Sequence, residues 1–272
     1  GETSIPITLQ IQGDGDGQRE LTVPLEENWN MISINVTPPE EMWNLEDGPD
    51  VILMTEQLRI DDDNHHLLLM KNEDGMFYLP AFGFNNIPYW DLTEGYLIKV
   101  DETIETVWSG EPIPADVDIP LEPGWNLIAY YPNYELDAST PDFYVLSPII
   151  DHVLLAKDGD GNFILPAFNF SNMPPWRETQ GYQVKVDEDV VLNYPPAQEQ
   201  IVVVRNSMTK RSDRSRHFVP NNATGENMSV LISSIQGINA TAGSELAAIA
   251  SDGRMVGTGI INTSSQCGLA VC

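Results

Sequence analysis

Apolar and polar residues alternate strictly near the start of the chain. Ile5, Ile7, Leu9 and Ile11 fall on one side of an extended backbone, with Ser4, Pro6, Thr8, Gln10 and Gln12 on the other. A period of two marks a strand with one buried face. Pro6 removes one ladder donor, which suits an edge or end strand. Further along, WNLIAYY (125–131) and VLLAKD (153–158) are short runs rich in branched and aromatic residues, and they predict strands. EDG (73–75) and DGDG (158–161) are tight-turn signals between strands. GYQVKVDEDVVLNY (181–194) alternates across a turn and predicts a closing hairpin. Only the region of TPDFYVLSPIIDHV (140–153) has room for a turn or two of helix, with Thr140 before Pro141 as its cap.

These elements occur twice. VPLEENWNMISINV (23–36) recurs as IPLEPGWNLIAYYP (119–132), so that Trp29 matches Trp125 at an offset of 96. The block 67–100 recurs as 153–186 at an offset of 86. It pairs Lys71 with Lys157, Trp90 with Trp176, and Gly95-Tyr96 with Gly181-Tyr182. The first copy therefore holds about ten extra residues around EEMWNLEDGPD (40–50). Such self-similarity indicates a duplicated supersecondary unit. The expected organisation is a leading strand and linker (1–20), repeat 1 (21–112), repeat 2 (113–198) and a C-terminal module (199–272). The expected class is mainly β, with two tandem β-rich repeats and an Ig-like β-sandwich module.

Charge supports the last boundary. The chain carries 13 basic and 41 acidic residues, a net of −28. Residues 201–272 hold six basic and four acidic residues, leaving seven and 37 in the first 200, a net of −30 there. A break of that size marks a change of module. The acidity excludes nucleic acid as a partner. No apolar run approaches the ~18 residues that cross a bilayer as a helix.

LEPGWNLIAYYP…VLLAKDGDGNFILPAFNF…QGYQVKV resembles a repeat of secreted, modular bacterial surface proteins, often exported with a C-terminal sorting domain. The tail, NMSVLISSIQG…GSELAAIASDGRMVGTGIINTSSQCGLAVC, resembles the β-sandwich module that accompanies it. The resemblance implies an extracellular location and this architecture, and leaves the chemistry open. It also implies one more strand following the segment Cys267, Leu269, Val271 and Cys272, and residues 4–12 have the pattern of that strand.

Three fates for residues 4–12 follow: folding back on its own module, insertion into the module of a neighbour, or a fragment end without meaning. Insertion into a neighbour gives an open head-to-tail chain, because a heterologous contact that does not close forms a filament. Burying four branched side chains at ~1.5–3 kcal/mol each would make a strong link. The expected partner is then the protein itself, with Ile5, Ile7, Leu9 and Ile11 as the assembly strand. Cys267, Leu269, Val271 and Cys272 form the acceptor. The two cysteines can bond to each other only if the chain doubles back, since an extended strand separates them by about 16 Å.

Asp158, Asp160 and Asn162, and Asp14 with Asp16, have the alternate oxygen spacing of a calcium loop, so Ca2+ is the one cofactor to weigh. The twelfth positions are Asn169 and Leu25, neither of them a carboxylate, and a plain hairpin turn competes with this reading. DDDNHH (61–66) carries a similar ambiguity between a divalent-ion loop and a solvated acidic loop. Six N-x-S/T sequons occur, at Asn35, Asn169, Asn222, Asn227, Asn239 and Asn262. The four in the tail are candidates for glycosylation or simply a segment rich in Asn, Ser and Thr.

No catalytic constellation is present: there is no H-E-x-x-H, no G-x-S-x-G and no phosphate loop. The expectation is not an enzyme but a structural protein. A surface adhesin or glycan-binding module is the alternative. For that alternative Trp43 and Trp108, lacking counterparts, are the candidate platforms, whereas the recurrence of Trp29, Trp90, Trp125 and Trp176 suggests packing.

Overall fold

The computed structural model describes residues 17–43, 47–198, 217–218 and 228–271. The assembly strand, Asp14, Asp16, Asn222, Asn227 and Cys272 lie outside them. The chain is mainly β. Repeat 1 contains β1 (Arg19–Leu25), β2 (Asn28–Ile32), β3 (Val36–Thr37), β4 (Leu67–Lys71), β5 (Phe77–Leu79), β6 (Phe84–Asn85), β7 (Tyr96–Val100) and β8 (Ile104–Pro112). β1 and β3 flank β8, and the other five form an antiparallel sheet in the order β2-β7-β4-β5-β6.

Repeat 2 repeats that plan. Its strands are β9 (Ile119–Leu121), β10 (Gly124–Ile128), β11 (Val153–Lys157), β12 (Phe163–Leu165), β13 (Phe170–Ser171), β14 (Tyr182–Val186) and β15 (Val190–Leu192). β9 pairs with β15, and the sheet runs β10-β14-β11-β12-β13. The registers coincide: Trp29 lies opposite Lys99 as Trp125 lies opposite Lys185. Even the bulge recurs, between Leu67 and Leu69 and between Val153 and Leu155.

Each repeat closes over its own core. Trp90, Tyr96, Leu25 and Met54 anchor the first, and Trp176, Tyr182, Tyr130 and Tyr194 the second. Trp108 has a counterpart after all. It packs on Trp90 at 5.7 Å between ring centroids, and Tyr194 meets Trp176 in the same place at 6.4 Å. The helical region differs from the expected cap. In repeat 1 Asp50 accepts hydrogen bonds from the amides of Ile52 and Leu53 at the start of α1 (Val51–Thr55). In repeat 2 two 3-10 turns replace it, Tyr144–Leu146 and Ile150–His152, and Thr140 caps neither.

The two repeats join about a pseudo-twofold axis. Ile32 bridges to Gln180, and its equivalent Ile128 bridges to Glu94. The amide of Gly95 donates to the carbonyl of Leu127 (2.7 Å), and that of Gly181 donates to Met31 (3.1 Å). Ser33 N–H to Thr179 O and Ala129 N–H to Thr93 O complete the symmetric set. This explains the repeated Gly-Tyr pair. A methyl on Gly95 would sit 3.0 Å from Ile128 O, and one on Gly181 2.7 Å from Ile32 O, so only glycine lets the backbones meet. The neighbouring tyrosine hydroxyls each accept a backbone N–H, from Asp91 and from Arg177.

The C-terminal module is two antiparallel strand pairs laid together, the first and last strands on one side and the hairpin between them on the other. β16 (Met228–Ile232) pairs with β19 (Cys267–Val271), and β17 (Glu245–Ile249) with β18 (Met255–Ile260). Gly257 and Gly259 bring β18 directly onto β19: a methyl on either would fall about 2.5 Å or less from Ala270 O or Gly268 O. Among the described residues, no helix is long and apolar enough to cross a membrane.

Candidate assembly and ligand surfaces

The C-terminal module has a thin core. Ile261, Cys267 and Leu269 are buried, while Val230, Ile232, Leu246, Ala248 and Val271 pack around them only half-buried. The alternation of β19 sends Cys267, Leu269 and Val271 to this inner face. Cys267 is a free thiol whose pKa burial pushes up to about 11, so it stays protonated and inert at neutral pH.

The other face of β19 meets repeat 2. A methyl on Gly268 would sit 2.8 Å from Phe170 Cζ, 2.9 Å from Phe163 Cε1 and 3.0 Å from Asn172 Nδ2, so the strand backbone abuts the outer ends of the two rings. Gln266 Nε2 donates to the carbonyl of Phe168 at 3.4 Å beside it. Repeat 1 carries the same surface uncovered. Phe77 and Phe84 lie 5.0 Å apart with an interplanar angle of 37°, as Phe163 and Phe170 do at 5.0 Å and 38°. Asn86 accepts the Phe77 amide as Asn172 accepts that of Phe163. Phe84 is nonetheless 45% exposed and Phe170 1%.

A second surface lies on the open side of each sheet. Lys71 and Lys99 reach over the Trp29 ring at 5.5 and 5.9 Å, and Lys157 and Lys185 over Trp125 at 5.0 and 5.9 Å. Trp125 is 45% exposed and Trp29 half-buried. Their recurrence therefore reflects a surface motif, contrary to the packing expected from sequence, while Trp90 and Trp176 are buried. Four of the seven basic residues in the first 200 are spent on these two rings. Trp108, expected as a platform, is 4% exposed and donates to Met54 O, so it offers no face to a sugar. Trp43 is half-buried and donates to Pro38 O.

The calcium-type loop is occupied by its own backbone. Asp158 Oδ1 accepts the amides of Asp160 and Asn162, and Oδ2 accepts from the Asn162 side chain. Burial pushes its pKa up to about 7 against the pull of those donors. The equivalent residue in repeat 1 is Asn72, which accepts the Met76 amide in the same turn. A neutral amide thus does the same work, which identifies a turn residue. Asp61 likewise accepts the amides of Asp63 and Asn64 in the DDDNHH loop. Among the described residues, no three His, Cys, Asp or Glu side chains converge as a cation site.

The sequons divide by environment. Asn35 is buried, donating to Tyr131 O and to Glu178, and is closed to modification. Asn169 is exposed in a left-handed conformation where repeat 1 has Gly83. Asn239 is exposed, and Asn262 holds the turn before β19 by accepting from Ser264 and Gln266.

The inter-repeat contact holds charge that the sequence did not single out. Glu94 Oε2 is buried without a hydrogen-bond partner. Burial, then Glu73, Asp91 and Asp74, push its pKa from the ordinary 4.5 to about 8. No family model, curated protein or solved structure matches this chain.

Proposed function

We propose that this is an extracellular structural protein that assembles head to tail, with residues 4–12 of one copy completing the C-terminal module of the next. The supporting observation is the thin core of that module, where seven apolar side chains stay half-buried around three buried ones. An apolar strand laid along this core would remove them from water and add a ladder of backbone hydrogen bonds. The alternating apolar face of Ile5, Ile7, Leu9 and Ile11 has the chemistry of such a strand. The resemblance to modular bacterial surface proteins accords with both location and role, and the reading requires no cofactor and no catalysis.

Deleting residues 1–12 is the test. Full-length protein is expected to give polymers by electron microscopy and light scattering. The deletion is expected to give monomers whose repeats retain their thermal transition. Polymers that survive the deletion overturn the proposal.

A second reading, binding of an acidic glycan by a monomeric adhesin, is favoured by the exposed Trp125 between two lysines. An aromatic face stacks on a sugar ring, and flanking ammonium groups suit carboxylate or sulfate substituents. Loss of acidic-polysaccharide binding in Trp125→Ala, with assembly unchanged, would support it.

A further inference from the structure

We infer that the Phe77–Phe84 surface of repeat 1 is a docking site for the C-terminal module of a second copy of this chain. The inference deepens the assembly reading and rests on it for the identity of the occupant. The duplication supplies the argument. Repeat 2 presents the same two rings and the same asparagine, and there the chain's own module covers them through Gly268. Repeat 1 keeps the geometry of that surface without the cover, with Phe84 45% and Phe82 79% exposed.

Two exposed phenylalanines, Phe82 and Phe84, with Phe77 half-buried against Phe84, mark an interaction surface on so acidic a protein. The module has apolar side chains to meet it, since Met228, Ile238 and Ile249 stay exposed while it sits on repeat 2. Chain connectivity agrees. Only residues 13–18 separate the donated strand from β1, a span of at most about 25 Å. A neighbour's module holding that strand is therefore tethered close to repeat 1 of the donor. Docking on Phe77 and Phe84 would fix the angle between successive copies.

The test places a photo-reactive benzoylphenylalanine at position 84 of the full chain and mixes light and heavy-isotope protein. Cross-links from position 84 to peptides within 228–271 of another copy are expected. Cross-links that are absent, or that reach only residues 17–198, overturn the inference. In parallel, Phe77→Ser with Phe84→Ser is expected to lower polymer yield about tenfold while leaving the melting of the repeats unchanged. Unaltered yield also overturns it. Deleting residues 1–12 separates the two ideas. Cross-linking that persists with polymers intact in the deletion sinks strand donation and leaves the docking site. Polymers lost in the deletion, with no cross-link in the full chain, sink the docking site and leave donation.

Discussion

Where repeat 1 has Glu94, Glu73 and Asp91 at the pseudo-twofold contact, repeat 2 has Gln180, Gly159 and Arg177. The backbone bridges on the two sides are the same, but the chemistry around them is not. On one side Glu73 accepts the Leu127 amide and Glu94 is held among other carboxylates. On the other, Met31 packs against bare Gly159, and Glu178 pairs with Arg19 and accepts from Asn35. A duplicated interface needs its backbone contacts on both sides. Its side chains are free to diverge wherever they stay within reach of water. Glu94 shows how far such divergence can go before it costs stability.

The largest effect is expected from breaking the symmetric backbone contact. Gly181→Ala pushes a methyl to 2.7 Å from Ile32 O, which the backbone cannot yield cheaply, and should destabilise by about 2–3 kcal/mol. Gly95→Ala, at 3.0 Å, should cost less. Denaturant titration of both variants measures the ordering, and equal effects would show that the two sides do not differ in closeness.

Making the sides alike electrostatically comes next. Glu94→Gln copies Gln180 and should stabilise by about 1–2 kcal/mol at pH 9, after allowing for solvent screening. The folded pKa of Glu94, about 8, lies above its unfolded value of 4.5, so its ionisation opposes folding. That penalty is full above pH 8, shrinks as the pH falls and is absent below about 4.5. The advantage of the variant should follow the same course, and melting curves between pH 4 and 9 would reveal it. A gain independent of pH would mean that charge is not its source.

The smallest effect is expected at the matched turn. Asp158→Asn copies Asn72, and the folded pKa of about 7 against an ordinary 3.8 makes the ionised form the less stable one. The substitution should be neutral below pH 4 and stabilise by about 1 kcal/mol or less above pH 7. Stabilisation of the unmodified chain above pH 7 by added calcium, lost in the variant, would return the loop to the status of a cation site.

The duplication and the strands were legible because they rest on local patterns. Trp29, Trp90 and the Gly-Tyr pairs recur at fixed offsets, and turn residues punctuate the runs between them. The surfaces were far less legible. Recurrence alone could not tell Trp90, buried in a core, from Trp29, which lies between two lysines on an open sheet. Trp108 was hidden as a core residue because its partner in repeat 2 is Tyr194, another aromatic of different identity.

By itself, then, the sequence determined a mainly β chain built from a doubled unit and a third module, since alternation, turn chemistry and repeated blocks act over a few residues. Tertiary structure alone decided that the two units face each other across a pseudo-twofold axis. It also decided that Phe170 is covered where Phe84 is bare, and that Glu94 sits among carboxylates. The reason is physical: those contacts run through backbone atoms and bring together residues far apart in the chain, where residue identity carries no record of what will lie opposite.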